Sequence, residues 1–266
     1  MSARQIDPDF LSTAEYNGAS KLNTRIEIQE RFGSNSRCWF HWLFDRLRLP
    51  SPCHILELGS GPANLWLDNC GRIPAGWSIV LTDLSPGMLA QARQTLPPPH
   101  FTIATVNAQA IPFAAGQFDA VIANGLFDHL PDPQQAFAQI KRVLKPGGHL
   151  YSATGGQAHL RELEAMVRPF VPDADYGGAS ERFGLENGAD LLSACFTDVR
   201  CYPYDDRLIF REAGPIIAYV LSETDVSRKL LGEQRAAFIR SVEKQLATAG
   251  SLHVTMNKGL FTARKP

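Results

Sequence analysis

No apolar run in this 266-residue chain approaches the roughly eighteen residues that a membrane-spanning helix needs. The first ten residues, Met1 to Phe10, also lack the charged head and apolar stretch of an export leader, so a cytoplasmic, soluble protein is expected, with no membrane partner. Charge of one sign is missing too. With 27 acidic against 26 basic residues the formal net charge is −1, which excludes the one-signed field of a general nucleic-acid binder. The five cysteines (38, 53, 70, 195 and 201) are odd in number and include no Cys-x-x-Cys pair, which points to reduced thiols. The histidines show no metal-ligand spacing, and no metal is expected. What remains is an ordinary globular balance, 44% hydrophobic and 20% charged, long enough to bury a substantial core.

Three stretches differ in texture. Residues 1–50 are polar and helix-like, an N-terminal helical cover in which Trp39, Phe40, Leu43, Phe44 and Leu47 build one apolar face. Upstream, Leu11 to Phe32 has a weaker helical pattern and reads as a mobile cover more than a core element. From residue 51 to 153, strand and helix signals alternate. His54–Leu58, Ser78–Thr82, Phe101–Val106, Phe118–Ala123 and His149–Ala153 read as strands, with helices opened by Ser85-Pro86 and running over Gln134–Leu144. That alternation predicts an α/β fold with a mostly parallel sheet covered on both faces, whose ligands bind at the carboxyl ends of the strands. Chemistry is therefore expected just after residues 58, 83, 107 and 123. The remainder predicts a helix near Asp190–Phe196, a strand over Val199–Tyr204, helices near 212–223 and 229–249, and a closing strand at Gly259–Ala263. The stretch of about 205–250 is too long for a hairpin turn and reads as a substrate-side helical insertion on a domain spanning 51–266.

The sharpest signal is Ile55-Leu-Glu-Leu-Gly-Ser-Gly-Pro-Ala63, with Asp83 ending the next strand. Glycines at a strand-to-helix turn let backbone N–H groups approach a ligand that a side chain would block. An acid at the end of the second strand can accept hydrogen bonds from ribose hydroxyls. Together they describe a site for an adenosine-type nucleotide. A dinucleotide site would want a third glycine where Asn64 stands, and a pyrophosphate has no need of Glu57 inside the turn. A sulfonium cofactor with an amino-acid tail tolerates that charge, so S-adenosylmethionine (SAM) fits better.

At this point the chain resembles the class I SAM-dependent methyltransferases, in particular their type 11 small-molecule branch and a bacterial subgroup of it. The resemblance rests on Leu56-Glu-Leu-Gly-Ser-Gly-Pro62, Leu81-Thr-Asp-Leu-Ser-Pro-Gly-Met-Leu89, Ile111-Pro-Phe113 before Gln117-Phe-Asp-Ala-Val121, and Arg142-Val-Leu-Lys-Pro-Gly-Gly148, four motifs in order. It implies a Rossmann-like sheet of seven strands in the order 3-2-1-4-5-7-6, the last antiparallel, with helices on both faces. By position it implies Gly59 and Gly61 against the methionine part of SAM, Glu57 near its amino group and Asp83 on the ribose, with Leu84 beside it. Met88 would pack by the adenine, with Asn107 and the Ala108 amide at its edge, and Asn124 would offer its carbonyl to the methionine tail. The product would be S-adenosylhomocysteine (SAH). Two departures stand out: Ala63 replaces a common third glycine, and Asn107 replaces a common acid.

Methyl transfer from SAM is an in-line displacement in which positioning can supply much of the acceleration. A general base is optional, and Asp128 and His129, a few residues past Asn124, are the candidates. For His129 a packed structural histidine is the competing reading. Tyr16 is a further candidate, as hydroxyl donor or aromatic wall. Arg25 could reach the SAM carboxylate, or sit solvated on its helix face. Tyr202, Tyr204, Phe210 and Tyr219 could box a ring or a cation, or simply pack in the core. The expected acceptor is a small metabolite with a nitrogen or oxygen nucleophile. Carbon methylation of a quinol ring, and SAM binding without turnover, are the alternatives. Nucleic acid is disfavoured, since Asn124-Gly-Leu-Phe127 lacks the two prolines that amino-methylating nucleic-acid enzymes carry there.

Overall fold

The computed structural model describes residues 18–97, 101–174, 176 and 178–266. Its core is one seven-stranded sheet, made of β1 (Cys53–Leu58), β2 (Trp77–Asp83), β3 (Phe101–Thr105), β4 (Phe118–Ile122), β5 (Leu144–Gly155), β6 (Thr197–Phe210) and β7 (Leu252–Arg264). The order is β3-β2-β1-β4-β5-β7-β6, with β1 to β5 parallel and β7 antiparallel to both β5 and β6. The chain thus has the Rossmann-like fold expected from its motifs.

Burial on both faces explains why the central strands are apolar runs. From Ile55 to Leu58 every residue of β1 is buried, and side chains alternate between two clusters. Ile55, Ile79, Leu81, Ala120, Ile122 and Tyr151 face one side of the sheet with Trp42, Trp66 and Trp77. Leu56, Val80, Val121 and Leu150 face the other with Phe137, Ile140 and Phe261. Ser85 caps helix α4 (Pro86–Thr95), its hydroxyl accepting from Met88 N at 3.3 Å, with Pro86 at the first turn. Asp132 caps α5 (Pro133–Val143) in the same way, accepting from Gln134 N at 2.9 Å.

The edges of two expected elements move. β6 does not stop near Tyr204 but continues to Phe210, fully paired with β7, so the helical insertion starts after residue 210 rather than at about 205. It comprises α8 (Ala213–Ser222), α9 (Thr224–Lys229) and α10 (Gly232–Ala249). Leu208 and Phe210, alternating inward, carry the strand on, because that face is buried by the insertion itself, while Tyr204 packs on Trp39 and Trp42. Helix α1 (Ser20–Phe32), within the stretch read as a mobile cover, is a packed element: Ile28 is buried, and Lys21, Arg25 and Gln29 bond to α8 and the start of α9. α2 (Trp39–Phe44) buries Trp42, Leu43 and Phe44 against the sheet.

Phe137 anchors the turn that follows β4. Fully buried, it meets Phe127 edge-on at 4.8 Å and also contacts Phe183 and Phe196. Phe127 opens the short turn that carries Asp128 and His129. Phe137→Ala should cost about 3–5 kcal/mol of unfolding free energy, read by urea denaturation; a loss below about 1 kcal/mol would show the site turn does not depend on this aromatic cluster.

Candidate functional site

The turn after β1 is built by backbone conformation. Gly59 and Gly61 have φ of +66° and +55°, and Ala63 follows at +68°. Ala63 occupies the left-handed region although it carries a methyl group, at a cost of roughly 1 kcal/mol. The methyl is fully buried, so the fold accommodates the missing glycine by packing it. A Cβ at Gly59 would come within 3.1 Å of Leu126, and one at Gly61 within 3.6 Å of Leu22 on α1. The glycine turn therefore lies directly beneath the N-terminal helix and the loop after β4.

Asp83 closes this turn onto β2. Its Oδ2 accepts from Gly61 N at 2.9 Å and its Oδ1 from Ser85 N at 2.8 Å. Burial raises its pKa against the pull of those backbone donors. Leu84, next to it, is 38% exposed, an unusual state for a leucine at the carboxyl edge of a buried sheet. Met88 is buried behind it. Glu57 is buried and accepts from the indole N–H of Trp66. Desolvation pushes its carboxyl up to about 8, helped by the nearby charge of Asp83, while the indole bond works the other way. Ser60 Oγ is buried without a hydrogen-bond partner among the described residues. A polar atom left unpaired beside two glycines and two carboxylates is what a site for a polar, partly cationic ligand presents. These residues fit SAM.

The other expected positions are distributed around the same edge. Asn107 is exposed and its Oδ1 accepts from Gln109 N at 2.9 Å, while Ala108 is buried. Asn124 follows β4, and its Oδ1 accepts from Ala153 N at 3.1 Å, which ties the loop to β5. Asp128 and His129 share one short turn with His129 Nε2 4.0 Å from Asp128 Oδ2. Asp128 Oδ1 is buried without a hydrogen-bond partner among the described residues, and the Asp128 carbonyl accepts from Arg182 Nε at 3.0 Å. Tyr16 lies outside the described residues.

Arg25 differs from both readings of the sequence. It is 7% exposed, so it is no solvated surface residue, and its guanidinium has partners on the insertion: Glu223 Oε1 at 3.1 Å and the Ser222 carbonyl at 3.2 Å. The aromatic residues of the variable half also find an unexpected occupant. Tyr204 and Trp39 frame a cation that belongs to the chain itself, Lys258, whose Nζ sits 4.3 Å from the Trp39 ring centre and 5.6 Å from that of Tyr204. Tyr219 and Phe210 are buried in the core beneath the insertion.

Sequence reading missed Trp66, Leu22, His159 and Lys258. Trp66 had a faint signal, since a buried tryptophan needs an acceptor for its indole N–H and Glu57 lies on the strand just before it. The other three are brought in by tertiary packing alone. Glu30, Cys38 and Asp68 place ligand atoms within 4.8 Å of one another, a grouping no motif suggested; both acids are exposed, as solvated acidic groups commonly are. No helix of the described residues is long and apolar enough to cross a membrane, and all five cysteines are free.

Comparison with known proteins places the chain in a family. A family described as a methyltransferase domain matches residues 56–152. The chain is 35% identical over 190 residues to a malonyl-[acyl-carrier protein] O-methyltransferase of Enterobacter lignolyticus, covering 69% of this chain and 72% of that protein. It is 32% identical over 160 residues to the protein of the same name from Geobacter sulfurreducens, covering 58% of this chain and 60% of the relative. Among solved structures it resembles Haemonchus contortus phosphoethanolamine N-methyltransferase 2 in complex with S-adenosyl-L-methionine, with a TM-score of 0.59 and 20% identity over 100% of this chain and 60% of that one. At that identity the likeness concerns the fold.

Proposed function

The chain belongs to the class I SAM-dependent methyltransferases of type 11, and from that premise we propose that it moves the sulfonium methyl of SAM to an oxygen or nitrogen nucleophile of a small metabolite. The observation that carries this reading is the Asp83 carboxylate, half-buried and bonded to Gly61 N at 2.9 Å, beneath an exposed Leu84. That arrangement suits ribose hydroxyls on the carboxylate and an adenine ring on the leucine. Both relatives are named as O-methyltransferases, which favours oxygen over nitrogen.

Bound SAM supplies a methyl group already activated by the positive sulfur. The protein's contribution is then mainly alignment, which can lower a barrier by up to about 7–11 kcal/mol. Glu57 and the Gly59–Gly61 turn hold the methionine part, Asp83 the ribose, and Met88 and Ala108 the adenine side. Asp128, with one buried carboxylate oxygen unpaired, takes or orients the proton of the acceptor, and His129 stands beside it. A base so placed contributes on the order of 10²–10⁴-fold.

The test is transfer of label from methyl-labelled SAM into a fractionated extract of the source organism. Label in a polar fraction, absent with the Asp83→Ala protein, is the expected outcome. Label in the lipid fraction would move the assignment to carbon methylation of a quinol ring. No transfer with SAH binding intact would overturn turnover on any acceptor in the extract.

A further inference from the structure

We infer that the acceptor carries a carboxylate and that Lys258 seats it, in the space between α1, α8 and the carboxyl ends of β4 and β5; this rests on the methyl-transfer reading above.

Strand register locates the lysine. Glu57 pairs with Ile122, Ile122 with Tyr151, Ala153 with Leu260, and Gly155 with Lys258. Paired residues share a face, so Glu57 and Lys258 project from the same side of the sheet, the side roofed by α1. β4, where Asn124 follows, and β7 are two strand spacings apart, about 10 Å. The roof repeats the distance: Leu22 lies over Gly61, and Gln29, two turns or about 10 Å further along α1, bonds Lys258 Nζ through its Oε1 at 3.0 Å. Gly155 leaves room beside Lys258, and the His159 imidazole fills it, within 3.5 Å of where a Cβ at Gly155 would lie.

The donors here are the Lys258 ammonium and the hydroxyls of Tyr219 and Tyr176, set beside the acceptors Asn257 Oδ1 and the carboxylates of Glu30 and Asp206. Lys258 spends one N–H on Gln29 and forms no ion pair among the described residues; Glu30 and Asp206 lie within electrostatic range, but Asp206 Oδ1 is taken by the Ser34 and Asn35 amides. Tyr219 Oη accepts from Gln29 Nε2 at 2.8 Å, so its own hydrogen is unspent on that bond. Among the described residues, Tyr176, beside Tyr219, has a buried hydroxyl without a partner, and His159 Nδ1 is buried and likewise unpaired. Desolvation and the lysine's charge push the His159 pKa down to about 3, so the ring is neutral. Arg25 is neutralised by Glu223, which leaves Lys258 as the cation of the cluster. Several donors around one desolvated ammonium call for an acceptor-rich anion, and a carboxylate fits that inventory. The spacing sets the size: the anchored carboxylate and the methylated atom lie up to about 10 Å apart.

The experiment is calorimetric titration of the SAH-saturated protein with straight-chain dicarboxylates from succinate to suberate, with their dimethyl esters as neutral controls. At least one diacid should bind, Lys258→Met should weaken it tenfold or more, and Lys258→Arg should retain it within a few-fold. His159→Gln should weaken it less than Lys258→Met does, and the esters should not bind. SAH affinity and melting temperature should be unchanged in each variant, which separates lost recognition from lost folding. If SAH binds and no diacid does, or if Lys258→Met binds the diacids as the parent does, the inference is wrong while the methyl-transfer reading stands. Failure of SAH itself to bind would remove both.

Discussion

Asp83→Ala should lower affinity for SAH by about a hundredfold to a thousandfold. The carboxylate is fixed by two backbone amides, Gly61 N and Ser85 N, so it is already oriented before any ligand arrives. Each hydrogen bond from a ribose hydroxyl to a charged group contributes about 1.5–3 kcal/mol, and two such bonds at the lower part of that range, as befits a half-buried carboxylate, amount to about 3–4 kcal/mol. At about 1.4 kcal/mol per factor of ten, that is two to three orders of magnitude. The substitution also frees the Gly61 amide and loosens the glycine turn, so some loss of melting temperature is expected alongside. Asp83→Asn separates the two effects, because it keeps an acceptor for the turn while removing the charge; its affinity should fall between the other two. Isothermal titration with SAH decides the matter. Unchanged affinity in a folded Asp83→Ala protein would remove Asp83 from the site.

Glu57→Gln should act in opposite directions on stability and on binding. The folded-state pKa of Glu57 lies at about 8 against an ordinary 4.5, because burial disfavours the charged form. The folded protein therefore holds a proton that the unfolded chain releases above about pH 4.5, and the stabilisation this gives is complete below that pH and lost as pH rises through 8. Melting temperature of the parent should fall across that window from this group, and Glu57→Gln, a neutral mimic that still accepts from Trp66, should flatten that component and be the more stable protein at pH 8. Binding runs the other way. The ammonium of the methionine part needs the ionised carboxylate, so SAH binding near pH 7 should release protons from the parent, seen as a buffer-dependent enthalpy. Glu57→Gln should release fewer and bind about ten- to a hundredfold more weakly. A parent enthalpy that is the same in buffers of different ionisation heat would place the ammonium away from Glu57.

The legible parts of the site are those carried by local sequence. Glu57, Gly59, Gly61 and Asp83 were readable because a strand, a tight turn and a following strand put them together within 27 residues, whatever the rest of the chain does. The sheet order was implied by the family those motifs resemble, and the observed strand order and register agree with it. Arg25 was not readable: its residue type allowed a surface role or a ligand role, and only the position of α8, nearly 200 residues later, gives it Glu223. Tyr204, read with Tyr202, Phe210 and Tyr219, suggested a box for a ring or a cation; the structure pairs it with Trp39 around Lys258.

By itself, then, the sequence determined the fold, the cofactor and the glycine turn, since periodicity and turn chemistry act over a few residues and need no distant partner. Tertiary structure decided the rest. It carried β6 on to Phe210, folded α1 down onto the insertion, and joined Tyr219 and Lys258 through Gln29, with His159 beside Gly155. Those contacts depend on strand register and on which faces are left to bury, and neither is written in any single stretch of residues.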